Sequence, residues 1–197
     1  MILASQSPRR RQLLEELGYE LTVLPADIDE TAHAAETPVE LVERLAREKA
    51  EASRAVAARN GVSDPDGLLG AADTIVWDDE GHVLGKPVDA SDAKRMLGEL
   101  AGRTHHVSSG CCLMVLGKDN QAAKVESFVE TTDVEFWPLS EAQIDAYVAT
   151  GEPMDKAGAY GIQGRGRVLV HGIQGDYFSV VGLPVSRLAR LIECVRA

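Results

Sequence analysis

The sequence has few cysteines, and their number and spacing argue against a disulfide-stabilised fold and against a zinc-binding fold. The three cysteines among 197 residues are Cys111, Cys112 and Cys194. An odd number without Cys-x-x-Cys spacing supports neither a disulfide framework nor a zinc site. Because free cysteine usually packs as a small apolar side chain, we interpret all three as buried and inert.

The common catalytic motifs are also missing. The chain contains no HExxH zinc motif and no GxSxG nucleophile elbow. Its glycine-rich stretches do not have the spacing of a Walker A loop or a dinucleotide-binding fingerprint. His105 and His106 are adjacent in a strand-like segment, so their side chains should face opposite sides and cannot share a metal.

Long apolar runs and excess positive charge are absent as well. The net charge is -11, whereas duplex nucleic acid needs a basic face, so we expect no nucleic-acid partner. No apolar run reaches the ~18 residues of a membrane helix. The first residues lack the basic-then-apolar order of a signal peptide, so we expect a cytoplasmic protein. An acidic protein still binds a small anion where its few cations converge.

Alternating strand and helix patterns predict a mixed α/β fold of two lobes with a cleft, and no internal repeat interrupts them. Predicted helices cover about 9–17, 38–59, 91–100, 141–149 and 184–195, and the longest predicted strands cover 68–77, 104–116 and 122–136. A hairpin around Gln174-Gly175-Asp176 is predicted to join strands 168–173 and 177–181.

The clearest functional candidate is Ser5-Gln6-Ser7-Pro8-Arg9-Arg10-Arg11. Here a strand ends, a serine caps a helix and cations begin it. Free N–H groups at a helix start favour an anion, and guanidinium groups suit phosphate oxygens. A capped helix with surface arginines would explain the serine and proline. It does not explain why three arginines stand at the N-terminus of the helix, where the helix dipole disfavours positive charge.

A carboxylate within an apolar strand is the second candidate. Asp73 lies in Gly70-Ala-Ala-Asp-Thr-Ile-Val76. Burying it unpaired is costly, so it should be a metal ligand, a catalytic base or a structural salt-bridge partner. Lys86, in Gly85-Lys-Pro87, is either solvated or returned towards Asp73 by a hairpin.

A third region, from Met154 to Gly164, interleaves Asp, Lys and Gln with small residues that permit close backbone approach. By itself this composition does not define a binding site.

Together these segments resemble the Maf family of nucleoside triphosphate pyrophosphatases over nearly the whole chain. The matching segments are Leu3–Arg10, Leu45–Ala50, Gly70–Val76, Gly85–Pro87, Asp155–Gly164 and Gly175–Pro184. The resemblance implies a single domain over 1–197, with an elongated twisted sheet flanked by helices and two lobes around a central cleft, as in Maf and ITPase-like proteins. It also implies a homodimer.

The resemblance further implies hydrolysis of a nucleoside triphosphate to its monophosphate and pyrophosphate with Mg²⁺ or Mn²⁺. The Ser-Pro-Arg-Arg and Asp-Lys-Ala-Gly-Ala-Tyr-Gly-Ile-Gln forms are similar to the branch acting on dTTP and UTP. In this assignment Asp73 is the general base, and Glu30 joins it in holding the metal. The substrate-binding residues are Ser5, Ser7, Arg9, Arg10, Lys49, Thr74, Lys86, Lys156 and Gln163.

Two alternatives remain open from the sequence. The protein could sense nucleotides without turnover as a regulator of cell division. It could also be a pyrophosphatase of broader range, or one directed to 7-methyl-GTP.

Overall fold

The computed structural model describes residues 1–196, apart from the side chain of Asp119, and confirms a mixed α/β fold. Seven strands occur within these residues: β1 Ile2–Leu3, β2 Thr22–Val23, β3 Leu68–Trp77, β4 Val83–Leu84, β5 Thr104–Leu116, β6 Ala122–Phe136 and β7 Val170–Gln174. The α-helices in the same range are α1 Pro8–Glu16, α2 Pro38–Asn60, α3 Ala90–Leu100, α4 Glu141–Val148, α5 Tyr177–Val181 and α6 Val185–Arg196.

The strands form one mixed sheet in the order β2-β1-β3-β5-β6-β7, with β4 paired to β3. The short strand β1 lies parallel to both β2 and β3, and Leu3 is opposite Gly70. β4 and β7 are antiparallel to β3 and β6 respectively. β5 and β6 are joined by only a few residues, which antiparallel neighbours alone permit.

Periodicity and capping predict most of these elements well. The bounds of β3, β5 and β6 agree with the sequence prediction. Two helices begin with capping boxes that their sequences favour, Thr37 with Glu40 on α2 and Ser140 with Gln143 on α4.

The predicted hairpin around Gly175 is wrong, because residues 177–181 form helix α5 and not a strand. Asp176 explains the difference. Its carboxylate accepts a hydrogen bond from the backbone N–H of Ser179 at 2.6 Å, which is the geometry of a helix N-cap. Its own N–H donates to Thr132 at 2.9 Å, so it is held at the end of the sheet.

The chain divides into two compact units. The first contains residues 1–73, 109–130 and those from Gly182 onwards. Its core packs small side chains of α2 against the strands: Ala46, Ala50 and Ala57 contact a cluster that includes Ile2 and Leu69. Gly110 on β5 is needed for this approach, because a Cβ there would lie 2.3 Å from the carbonyl oxygen of Val42.

The second unit contains residues 74–108 and 131–181. Its core includes a buried trio of rings. His105 donates to or accepts from the hydroxyl of Tyr160 at 2.8 Å, and both rings meet Phe136 edge-on. Among the described residues, nothing bonds the buried Nδ1 of His105. His106 faces the other way, towards Asp133, as the strand period predicts.

His105 should make the protein less stable in mild acid. Burial lowers its pKa from 6.5 to about 4. Between these values the unfolded chain takes up a proton that the folded protein does not, so stability falls as the pH drops from about 6.5 to about 4. At ~1.4 kcal/mol per pKa unit, the full effect is about 3 kcal/mol.

The measurement is urea unfolding at pH 7 and pH 4.5. The double variant His105→Phe/Tyr160→Phe removes both polar groups, and its loss of stability between these pH values should be smaller than that of the wild type by ~2 kcal/mol. Equal losses would show that His105 is not the group responsible.

The prediction that all three cysteines are buried holds for Cys111 and Cys112 but is wrong for Cys194, which is exposed near the end of α6. Burial raises the pKa of Cys111 to about 12 and that of Cys112 to about 11, which keeps both thiols protonated. Within residues 1–196, none of the helices combines the length and apolar composition that a membrane span requires.

Candidate active site

The start of α1 has the geometry of an anion-binding site. Ser7 caps the helix, and its Oγ accepts a hydrogen bond from the N–H of Arg10 at 3.4 Å. Pro8 occupies the first turn, and no acidic residue in that turn offsets the positive end of the helix dipole. Strand β1 positions the start of α1, because the pairing of Leu3 with Gly70 on β3 fixes the chain just before the helix.

The three arginines of this helix have different surroundings. Arg10 donates from Nε to the carbonyl of Gly182 at 2.8 Å and from Nη1 to Ser5 Oγ at 3.2 Å. Burial lowers the pKa of Arg10, and the nearby carboxylate of Asp73 partly opposes that shift. Arg11 instead pairs with Glu15 on the surface. Arg9 is partly buried in the same first turn.

Lys49 connects two of the predicted acidic residues. Its Nζ lies 2.5 Å from Asp73 and 2.6 Å from Glu30. Asp73 is buried, with only 8% of its surface exposed, whereas the Glu30 side chain is 59% exposed. The buried carboxylate therefore has a charged partner, which reduces the cost of burying it.

Helix periodicity explains why Lys49 points inward. It is separated by three, four and seven positions from Ala46, Leu45 and Val42, all of which are buried. Residues at these spacings share one helix face. Lys49 is thus the charged member of an apolar face, which brings it to β3.

The predicted metal ligands form a pair and not a three-residue cluster. Glu30 and Asp73 converge on one ammonium group, so a positive charge is already stabilised between them. Two carboxylates suit Mg²⁺, which is bound in nucleotide sites by one or two carboxylates together with phosphates and water. Among the side chains that the structure describes, three potential ligands come together only at Asp78, Glu80 and His82, on the β3–β4 turn.

Four predicted residues belong to the second unit. Thr74 follows Asp73 on β3 and is partly buried, and Lys86 is exposed after β4. Lys156 donates to the backbone carbonyl of Glu152 at 2.6 Å and to Asp155 at 2.5 Å. Its side chain is only 14% exposed.

Gln163 is exposed and lines an open pocket of about 460 Å³. The other lining residues are Ile162, Arg167, Val170, Gly172, Ile173 and Tyr177. The walls combine apolar side chains and a tyrosine ring with an amide and a guanidinium. Such a mixture suits a flat ring with polar edges.

Two residues of this region were missed by the sequence interpretation. Glu152 and Tyr147 bond to each other and to the segment that carries Gln163. A glutamate between Gly151 and Pro153, just before a glycine-rich stretch, is the signal that could have indicated the first of them.

The first unit is therefore an α/β unit in which a capped helix start with basic residues in its first turn accompanies a buried carboxylate–lysine pair. The family described as Maf-like protein matches residues 1–195. A dTTP/UTP pyrophosphatase of Halalkalibacterium halodurans is 47% identical over 98% of this chain and 94% of its own. Proteins of the same name from Bacillus cereus and Bacillus anthracis are 48% identical over the same shares. The chain belongs to the Maf family.

Proposed function

We propose that this protein hydrolyses dTTP and UTP to the monophosphate and pyrophosphate, with a divalent cation. The observation that carries the proposal is the Lys49 ammonium, which pairs with both the buried carboxylate of Asp73 and the carboxylate of Glu30, with Arg10 close enough to Asp73 to affect its charge. The names of relatives at 47% and 48% identity support the same substrates.

The start of α1 would bind the triphosphate. Ser7 and the first-turn N–H groups offer neutral donors, and Arg10 offers a fork already oriented by Ser5 and Gly182. Pre-oriented donors lose little side-chain entropy on binding, so they favour a tightly held phosphate. Arg9 lies in the same turn. By the family resemblance Lys49, Lys86 and Lys156 would also bind the substrate.

Asp73 would act as the general base. Its carboxylate accepts a proton from a water molecule as that water attacks the α-phosphorus. The new oxygen–phosphorus bond forms while the bond from the α-phosphorus to the bridging oxygen breaks, and pyrophosphate leaves. Such transfers depend mainly on positioning and charge neutralisation, so the surrounding cations matter as much as the base.

Glu30 and Asp73 would hold the Mg²⁺ or Mn²⁺ ion. When bound there, the cation supplies neutralisation of phosphate charge and polarisation of the phosphoryl group. The carboxylate pair that now stabilises the Lys49 ammonium is a suitable donor set for it.

Thr74 and Gln163 would contribute to the choice of nucleotide. A uracil or thymine ring presents two carbonyl oxygens and one N–H on its edge. The Gln163 amide can donate and accept, so it complements that edge.

We expect pyrophosphate release from UTP and dTTP to exceed that from ATP, GTP, CTP and 7-methyl-GTP by at least about 10-fold in kcat/KM, which corresponds to ~1.4 kcal/mol of discrimination. The reaction should stop with EDTA and resume with excess Mg²⁺ or Mn²⁺. In ¹⁸O-labelled water the label should enter the monophosphate, because attack is at the α-phosphorus.

Four other outcomes would each change the conclusion. Binding without pyrophosphate release would favour a nucleotide-sensing regulator of cell division. Equal rates across the panel would favour a pyrophosphatase of broader range. A preference for 7-methyl-GTP would favour one directed to that nucleotide. Label in the pyrophosphate would contradict the assigned site of attack.

The homodimer and the cytoplasmic location also stay proposals, to be tested by light scattering and by fractionation.

A further inference from the structure

The segment that carries Lys156 and Gln163 has little regular structure of its own. Between α4 and β7 it forms only short 3₁₀ turns, at Glu152–Asp155, Ala157–Ala159 and Gly164–Val168. Short turns of this kind provide few internal hydrogen bonds. An exposed side chain on such a segment would be poorly positioned unless other groups fixed the backbone.

Glu152 fixes the backbone after Gln163. Its Oε2 accepts the N–H of Arg165 at 2.9 Å, and its Oε1 accepts the N–H of Gly166 at 3.1 Å. Burial alone would raise the pKa of Glu152, but these backbone donors, together with the Tyr147 hydroxyl and the charge of Lys156, lower it below its usual value. The carboxylate is therefore charged at neutral pH, and charge-assisted hydrogen bonds are the stronger kind.

Tyr147 fixes the backbone before Gln163. Its hydroxyl accepts the N–H of Gly161 at 3.2 Å and donates to Glu152 Oε1 at 3.0 Å. The tyrosine lies on α4 and is only 5% exposed within the core of the second unit. One tyrosine–glutamate pair thus holds the chain on both sides of Gln163.

The turn between these anchors is closed tightly. Gly164 has a φ of +63°, and a Cβ there would lie 2.7 Å from Glu152 Oε2. At Gly166 a Cβ would lie 2.3 Å from the carbonyl oxygen of Gly161. The glycines permit the carboxylate to reach the backbone directly. The backbone carbonyl of Glu152 also accepts from Lys156 at 2.6 Å, so the same residue orients both predicted ligand-binding side chains.

We propose that Glu152 and Tyr147 are positioning residues that hold Gln163 in place to read the pyrimidine edge of the substrate. This assignment rests on the proposed function. A base is discriminated by a hydrogen-bonding group only when that group cannot move to suit the wrong base. Loosening the turn would let the amide of Gln163 adapt, so selectivity would fall more than the rate with the preferred substrate.

Glu152→Gln and Tyr147→Phe are the test variants, and Ser140→Ala is the matched control. The glutamine keeps one acceptor oxygen but turns an NH₂ donor towards one of the two backbone N–H groups of Arg165 and Gly166, and the phenylalanine removes only the hydroxyl. Ser140→Ala removes the cap of α4, and so weakens the same helix without touching the Gln163 segment.

The ratio of kcat/KM for UTP to that for CTP should fall about 10-fold or more in both test variants and stay within ~2-fold of wild type in Ser140→Ala. KM for UTP should rise more than kcat falls. Hydrogen exchange should accelerate at the amide of Gly161 in Tyr147→Phe, because the hydroxyl that accepts its N–H is lost. In Glu152→Gln it should accelerate at Arg165 or Gly166, whichever N–H faces the new NH₂ group.

Selectivity as high in the test variants as in Ser140→Ala would overturn the positioning role, even where the thermal midpoints of all three fall together. A wild type that hydrolyses neither UTP nor dTTP would overturn the proposed function, and this role with it. The two failures are thus distinguished by the wild type alone.

Discussion

Asp73→Asn should lower kcat for UTP and dTTP by ~10²–10⁴-fold, the usual contribution of a general base. An amide has the shape of the carboxylate but cannot accept the proton of the attacking water. The loss should exceed that from any single substitution among the phosphate-binding cations, since several of these share the charge of the triphosphate. Pyrophosphate release at saturating nucleotide is the measurement.

Folding and binding separate this result from a structural defect. The Asp73→Asn variant keeps the β3 backbone pairing, so its circular dichroism should stay near that of wild type. Its affinity for a non-hydrolysable UTP analogue, measured without metal, should not fall, because no group that would bind the phosphates is removed. Asp66→Asn is the control of equal charge, because Asp66 pairs with Arg196 on the surface. Near wild-type turnover in Asp73→Asn would remove Asp73 from the role of base.

How much of the fold the sequence predicts depends on whether the signal is local. The strand β3 and the helices α2 and α4 depend on signals between neighbouring residues, and their predicted bounds agree with the structure to within about one residue. Helix α5 is different. Tyr177 to Val181 has β-forming composition, but the N-cap geometry of Asp176 is fixed by Thr132, 44 residues away. Tertiary contacts of this kind override local propensity.

The candidate site shows the same distinction. Asp73 is predictable because a carboxylate in an apolar strand is unusual in itself. The inward position of Lys49 follows from its spacing to Leu45 and Ala46. The sequence of α2 does not show which carboxylate the lysine pairs with, because Asp73 lies on another element. Glu152 shows the limit, since its partners are backbone N–H groups that any sequence at residues 165 and 166 would offer.

The proposed function gives Lys49 two roles that one substitution can separate. In this structure its ammonium lies between Asp73 and Glu30, at the place where the proposed cation would bind. If a cation and a triphosphate bind as proposed, the two carboxylates would no longer need the lysine, and its charge would become available to the phosphates. Lys49 would thus neutralise the carboxylates in the empty enzyme and the substrate in the loaded one.

Lys49→Met should therefore have opposite effects on catalysis and on metal binding. We expect kcat/KM for UTP to fall by ~10²-fold, equivalent to about 2.7 kcal/mol, because a cation near the phosphates is lost. Affinity for Mn²⁺ without nucleotide should rise about 10-fold, or ~1.4 kcal/mol, because an internal competitor is removed. Calorimetric titration with Mn²⁺ measures the second effect without any turnover.

The same variant should acquire metal-dependent stability. Removing one partner leaves the buried Asp73 carboxylate uncompensated, and we expect a cost of about 1–3 kcal/mol, below the full value for a buried pair because Glu30 is largely exposed. Mn²⁺ should recover most of that cost, since a ligand that binds only the folded state stabilises it. Lys94→Met, which breaks a surface pair with Asp145, should show neither effect. Unchanged Mn²⁺ affinity in Lys49→Met would mean that the ammonium and the metal do not compete for the same carboxylates.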